Sequence, residues 1–316
     1  MKTMVVIPNW NGEDLLAGCL DSLLAQTINT TIVVVDNGSI DGSVALIEQN
    51  YPTVQLIKLP KNTGFAGGVN TGIGYALKNG ADAVALFNND AVADNNWLKT
   101  LIDTLNEDPT IGIATCKLLH TAKTHFDSAG DYYYVWGLPF PRGRGKKDTG
   151  QYNKKEFVFS ASGGASLYRS KMLHQIGIFD ERFFAYYEDV DMGFRAQLAG
   201  WLVCYNPKSV AYHQISATSS KLGLFARYHA TKNFYILYLK NMPGRLFWKY
   251  LPHFLVRAVR MFVSSIIRFR FWTQLKAMIK VLILLPSILI DRHKIQKKRV
   301  ASIAYIDSLL VKKEVL

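Results

Sequence analysis

The run FFAYYEDVDMGFR, Phe183 to Arg195, sets Glu188, Asp189 and Asp191 against four aromatic rings. A carboxylate beside apolar bulk is costly unless a partner offsets its charge, so the run caps a helix or serves a site. Acids are favoured in a first helical turn by the backbone dipole. A helix starting near Glu188 puts Asp191 four residues before Arg195, the spacing of a surface ion pair. Further candidates follow four successive apolar runs: Pro8, Asn9 and Asn11; Asp36, Asn37, Gly38 and Ser39; Lys61, Asn62 and Gly64; Asn88, Asn89 and Asp90. Each group alone reads as an ordinary turn. Four of them at four consecutive strand ends point to a ligand site.

The elements that must position these residues alternate. MVVIP, TIVVVDNGS, VQLIKLP and AVALFNND are apolar runs separated by helical stretches near Asp14–Ala25, Gly42–Gln49 and Gly67–Lys78. Runs without polar alternation, spaced by helices, mark parallel strands buried on both faces. The expected fold is α/β, a doubly wound, mostly parallel sheet whose ligands sit beyond the carboxyl ends of the strands. No G-x-G-x-x-G follows the first strand, which ranks dinucleotide hydride chemistry low. GFAGGVNTGIG, from Gly64 to Gly74, follows the third strand instead. Its glycines suit approach of backbone amides to a phosphate or close helix packing. From His120 to Glu156 the periodicity fails, and the rings with Arg142, Arg144, Lys146 and Lys147 predict a mobile substrate-binding flap or a solvated loop.

The chain has 316 residues and a net charge of +13, unevenly spread. Residues 1–191 hold 16 basic and 21 acidic residues, a net of −5; residues 192–316 hold 21 and 3, a net of +18. That asymmetry implies a polyanionic partner for the C-terminal part. Cys19, Cys116 and Cys204 show no paired spacing, so neither a disulfide framework nor a thiolate zinc site is expected, in keeping with a reducing compartment. The apolar run before Pro8 is too short for a secretory signal and reads as a first strand.

The segments VVIPNWNG, VVVDNGSIDGS, KNTGFAGGVNTG, LFNND, SASGGASLYRS, IGIFDERFFAYYEDVDMGFRAQLAGW and AYHQ occur in this order over roughly residues 4–220. Together they resemble the family 2 glycosyltransferases of GT-A fold, most of all bacterial rhamnosyltransferases of cell-surface polysaccharide assembly. The resemblance implies that Asp36 contacts a pyrimidine base and that Pro8, Asn9, Asn11, Asn37, Asn62, Gly64, Asn70, Asn88 and Asn89 serve the nucleotide-sugar donor. Asp90 becomes a ligand for Mg²⁺ or Mn²⁺ and His213 a second ligand, because a cation offsets the charge that builds on a departing nucleoside diphosphate. Asn88 stands where the commoner motif has an acid, which weakens the hold on metal. Asp189 becomes the catalytic base of an inverting displacement, with Glu188 touching the acceptor or orienting it. The rings from Phe183 to Tyr187 are expected to divide between sugar stacking and core. L-rhamnose from dTDP-rhamnose is the expected donor; UDP-hexose, UDP-galactofuranose or a non-catalytic nucleotide-sugar-binding module are the alternatives. No Gln-x-x-Arg-Trp string occurs, which favours single additions.

The expected organisation is a catalytic domain over 1–240, with a donor half 1–118 and an acceptor half 119–240, followed by a basic amphipathic helical region 241–316. Lys249, His253, Arg257, Arg260, Ser264 and Arg268 recur at helical spacing. The longest purely apolar run, Val281–Ile290, is ten residues and contains Pro286, short of a span. The region 246–290 is therefore expected to lie on an anionic membrane surface, cationic face to the head groups. A helical packing domain with solvated charges is the alternative; nucleic acid is disfavoured by the interleaved aliphatics. With the resemblance, this implies a peripheral enzyme at the cytoplasmic face, acting on a lipid-linked glycan.

Overall fold

The computed structural model describes residues 1–214 and 223–313. Residues 215–222 and 314–316, where the stretch of resemblance and the C-terminal region end, lie outside the described residues. The elements run β1 (Thr3–Asn9), α1 (Glu13–Leu24), β2 (Thr31–Asp36), α2 (Ser43–Asn50), β3 (Gln55–Lys58), α3 (Gly64–Lys78), β4 (Ala83–Phe87), β5 (Ala91–Ala93), α4 (Trp97–Glu107) and β6 (Ile111–His120). There follow β7 (Phe126–Ser128), β8 (Asp131–Tyr134), β9 (Pro139–Pro141), β10 (Glu156–Phe157), β11 (Ala165–Arg169), α5 (Ser170–Ile176), α6 (Glu188–Leu198) and β12 (Leu202–His213). The C-terminal part holds α7 (Gly223–Asn241), α8 (Gly244–Ile267), α9 (Phe271–Lys297), α10 (Ile303–Leu309) and β13 (Leu310–Val311).

Among the described residues one sheet holds ten strands, in the order β10-β12-β6-β11-β4-β1-β2-β3, with β5 on β12 and β7 on β6. The β4-β1-β2-β3 half is parallel; β11 runs antiparallel between β4 and β6. Alternate side chains of a strand point to opposite faces, and the apolar runs fill both. Val5, Ile7, Val34 and Phe87 meet α1 and α4 through Leu16, Leu20, Trp97 and Leu101. Met4, Val6, Val35 and Leu86 meet α3, α5 and α6 through Val69, Ile73, Met172 and Met192. Gly72 belongs to this packing, since a Cβ there would sit 2.2 Å from Val6 Cγ1.

The stretch 120–156 is not a structureless flap. It folds as β7, β8 and β9, and β8 pairs with both β9 and β13 in a second, three-stranded sheet. Arg142 is buried there, its Nε donating to Ala129 O at 2.8 Å and its guanidinium lying over the Tyr152 and Tyr205 rings.

A third core cluster joins α6 to the C-terminal helices, with Val190, Phe194 and Leu198 packed among Phe234, Leu237, Tyr250, Phe254, Val281 and Ile288. Asp191 corrects the surface-pair expectation. It is fully buried and accepts from Arg195 Nε at 2.8 Å, Asn241 Nδ2 at 2.7 Å and Lys240 Nζ at 2.9 Å, while Lys240 also reaches Asp180 at 2.7 Å. Burial alone would raise the Asp191 pKa, but Lys240 and Arg195 hold it low. Removing one member of such a network strands a charge in the core, so Lys240→Met is expected to cost about 3–5 kcal/mol of stability in a urea melt.

The cationic face of α8 is partly engaged by the body, while Lys249, Arg260 and Arg268 stay exposed. Lys249 pairs with Asp307 at 2.9 Å, His253 packs on Trp136, and Arg260 lies over the same ring. Beside exposed cations such as Arg260, Arg268, Lys276 and Lys280, α8 and α9 expose apolar side chains: Val259, Val263, Ile266 and Ile267 on one, Trp272, Leu282, Ile283 and Ile290 on the other. Both helices are long and apolar enough to cross a membrane by length and composition, yet each buries one face on the body, α9 through Gln274, Ala277, Val281 and Ile288.

Candidate active site

The loop that introduces α6 is the most strained backbone near the sheet's carboxyl edge. Phe184, Tyr186 and Tyr187 all have positive φ, at 66°, 73° and 69°, a region rarely occupied by bulky residues. Neighbours pin it. Asn233 of α7 donates through Nδ2 to Phe183 O, Ala185 O and Tyr186 O at 3.0, 2.8 and 2.6 Å. Ala66 N donates to Phe184 O at 3.1 Å. Gly64 (φ +79°) lets α3 come this close, since a Cβ there would lie 2.5 Å from Phe184 O. Phe183 anchors the loop in the core, while Phe184, Tyr186 and Tyr187 face a cleft of about 830 Å³.

That cleft gathers most of the expected residues: Pro8, Asn9, Asn37, Asn62, Gly64, Asn88, Asn89, Asp90, Glu188, Asp189 and His213 line it. The asparagines knit the strand ends together. Asn89 Nδ2 donates to Asn9 Oδ1 at 2.8 Å, and Asn37 bridges β2 to the α3 entrance through Gly64 O and Thr63 N, both at 2.8 Å. Three residues fall elsewhere. Asn70 is buried against Phe179, accepting from its N–H at 3.0 Å and donating to its carbonyl at 2.9 Å, and borders a different cavity; it is a structural staple, not a donor contact. Asn11 is exposed outside the cleft lining, its Oδ1 accepting from Ile40 N at 2.9 Å. Asp36 lies buried behind the lining, accepting from Asn9 Nδ2 at 3.1 Å and Ser39 N at 3.1 Å.

At one end of the cleft Asp90 Oδ1 and His213 Nε2 are 2.9 Å apart, and the Asn88 side-chain amide is 3.2 Å from the same nitrogen. His213 Nδ1 is 2.8 Å from Asp127 Oδ2, and Arg144 closes the chain through Nη2, 2.7 Å from Asp127 Oδ1. Burial pulls the His213 pKa down, but the bonds to Asp127 and Asp90 outweigh it and push it up to about 9. A histidine oriented by a carboxylate on its far nitrogen is the usual outer-shell arrangement of a metal ligand. Among the described residues no three His, Cys, Asp or Glu side chains group around one point. A hard divalent cation completed by phosphate oxygens needs only one or two protein ligands, and Asp90 with His213 fits that.

The acid end is built differently. Asp189 Oδ2 accepts from Gly163 N at 2.9 Å and Oδ1 from Val190 N at 2.8 Å. Burial raises its pKa and those two N–H groups hold it back only partly. Glu188 is buried with Oε2 unpartnered among the described residues; burial and then the Asp189 charge push its pKa well up. Asp131, absent from the sequence-based candidates, lines the same wall, accepts from Ser128 Oγ at 3.3 Å, and is pushed up to about 8 by burial and the Asp189 and Asp127 charges. Five acids therefore share a cleft with Arg144 and His213 as its only lining cations among the described residues. A diphosphate entering it needs added positive charge.

The family described as glycosyltransferase like family 2 matches residues 2–231. The chain belongs to that family. The glycosyltransferase is 30% identical over 218 residues to the N-acetylglucosaminyl-diphospho-decaprenol L-rhamnosyltransferase of Mycobacterium tuberculosis, covering 62% of this chain and 70% of the relative. It is 28% identical over 226 residues to the dTDP-rhamnosyl transferase RfbF of Shigella flexneri, covering 67% and 72%. Its fold is GT-A. The mannosyltransferase PcManGT of Pyrobaculum calidifontis, solved with GDP-Man and Mn²⁺, superposes with a TM-score of 0.55 at 15% identity over 90% of this chain and 86% of that one. S. aureus TarS 1–349 in complex with UDP gives 0.57 at 14% over 100% and 94%.

Proposed function

We propose that this glycosyltransferase moves L-rhamnose from dTDP-rhamnose to a lipid-linked glycan with inversion, in cell-surface polysaccharide assembly. The observation that carries the reading is that Asp189 and the Asp90–His213 pair line one cleft. Asp90 and His213 hold Mg²⁺ or Mn²⁺, which supplies charge to offset that developing on the leaving diphosphate. Pro8, Asn9, Asn37, Asn62 and Asn89 seat the nucleotide at the strand ends, and Asp36 fixes Asn9 from behind. Asp189 takes the proton of the acceptor hydroxyl as that oxygen attacks the anomeric carbon. One base and one direct displacement invert the configuration. Glu188, its pKa pushed well up by burial and the Asp189 charge, can when protonated donate a hydrogen bond to the acceptor or to Asp189.

The names of the relatives support rhamnose as the sugar and a lipid diphosphate as the carrier. Hydrolysis of a panel of nucleotide sugars by the purified chain with Mg²⁺ or Mn²⁺ tests the donor. dTDP-rhamnose is expected to be cleaved fastest, and a faster UDP-hexose or UDP-galactofuranose would replace it.

The exposed apolar rows of α8 and α9 lie in the membrane interface at the cytoplasmic face, with the body held against the head groups. A helix with one whole face packed on an aqueous domain cannot also be surrounded by lipid, which favours lying flat over crossing. Ile266, Ile267, Leu282 and Ile283 are 51–70% exposed, so changing all four to Lys should leave the fold intact. The quadruple variant is expected to lose about tenfold or more of its vesicle affinity in flotation, from the apolar area withdrawn. Unchanged flotation would remove the interface from this surface.

A further inference from the structure

Among the described residues, α8 and the neighbouring Trp136 carry buried donors without a hydrogen-bond partner. Arg257 makes no ion pair among the described residues, and its Nε is buried without a hydrogen-bond partner. His253 Nδ1 and Trp136 Nε1 are likewise buried and unpartnered, and the two rings stand edge to face with centroids 4.9 Å apart. The Arg260 guanidinium lies 5.7 Å from the centre of the same Trp136 ring. The carboxylate that α10 offers this helix, Asp307, is already taken by Lys249 at 2.9 Å and Tyr250 at 2.6 Å. Buried donors left unmade are costly, and a positively charged one demands an anion.

The cluster reaches the cleft through shared packing, since Trp136 and Tyr187 lie against the same core cluster and Tyr187 lines the cleft. The Tyr187 hydroxyl, pushed up by burial, feels the charges of Arg257, Asp189 and Arg144, and its ring lines the cleft. Away from Trp136 the same helix exposes Leu255 and Val259. A ligand answering all three features has a glycan for the cleft, phosphate oxygens for the donors and an apolar chain for the outer helix face.

We propose that Arg257, His253 and Trp136 form a subsite for the diphosphate of a prenyl-diphosphate-linked acceptor. The assignment rests on the lipid-linked acceptor read above. It makes α8 part of the substrate site rather than a membrane anchor alone. Held at its diphosphate, the acceptor would present the sugar next to the carrier toward Asp189, so the subsite also sets how far along a glycan the enzyme can act.

Calorimetry on the full chain in detergent tests it, with farnesyl diphosphate as probe, dTDP with Mn²⁺ as the donor-site control, and phosphatidylglycerol vesicles as the head-group control. Farnesyl diphosphate is expected to bind without being displaced by dTDP. Arg257→Gln and Trp136→Phe, the second keeping an aromatic ring while removing the indole N–H, should each weaken it about tenfold, the loss of one hydrogen bond to a charged group. Undiminished binding in both variants overturns the subsite. So does displacement by dTDP, which would put the probe in the donor site, or an equal loss of vesicle affinity, which would make the cluster a head-group contact. Nucleotide-sugar hydrolysis by the same preparations separates the two readings: a chain that cleaves no donor fails as a transferase, whereas one that cleaves donor but binds the probe equally in all forms fails only here.

Discussion

Asp189→Asn is expected to lower turnover by about 10²- to 10⁴-fold while donor affinity stays near wild type. The substitution keeps the size and one of the two backbone contacts, to Gly163 N or to Val190 N, but removes the carboxylate that takes the acceptor proton. A silent sugar-nucleotide-binding module would show no turnover to lose. The pH profile is part of the same prediction. Burial raises the Asp189 pKa above its ordinary value, and the base works only as carboxylate. Activity should therefore fall as pH drops through a value above about 4, the usual range for an aspartate. An acid limb at or below the ordinary aspartate value, or full turnover in the amide variant, would move the base elsewhere.

Asp90→Asn should cost about 10²- to 10³-fold in kcat, the range seen when one preorganised group facing developing charge is removed, and should flatten the response to Mn²⁺. The reason lies in the balance of charge. Asp127 and Asp189 share the cleft with Asp90, beside Asp131 and Glu188 whose pKa values burial pushes up, and only Arg144 and His213 oppose these acids among the described lining residues. An amide at position 90 holds a cation less firmly, and His213, still oriented by Asp127 at 2.8 Å, cannot replace the lost charge. Wild-type activity with a retained metal response would show that the cation binds away from Asp90.

The sheet was legible because buried parallel strands leave unbroken apolar runs, and the polar groups after them mark where ligands approach. The resemblance of ordered segments then pointed to Asp90, Asp189 and His213, which line one cleft. Other features left no such trace. Asp127 meets His213 across 86 positions, and Asp131 enters the cleft from a short strand in a turn-rich stretch; no local spacing ties either to the site. The Asp191–Arg195 spacing is the same for a surface pair and a buried network, and only α7, supplying Lys240 and Asn241, decides between them. The rings of FFAYYED were visible as bulk, but not as a loop with three positive φ angles, because that conformation is imposed by Asn233 from another helix. Spacing likewise put the α8 cations on one face without saying that Trp136 would pack on His253 or that Asp307 would pair with Lys249.

A crystal of the Asp189→Asn variant grown with intact dTDP-rhamnose and Mn²⁺, with anomalous scattering used to place the metal, probes the shared cleft most directly. The expected map has manganese between Asp90 and His213, touching the diphosphate, and the anomeric carbon open toward residue 189. Manganese bound away from Asp90, or a sugar directed into a cavity that residue 189 does not reach, would contradict the assignment.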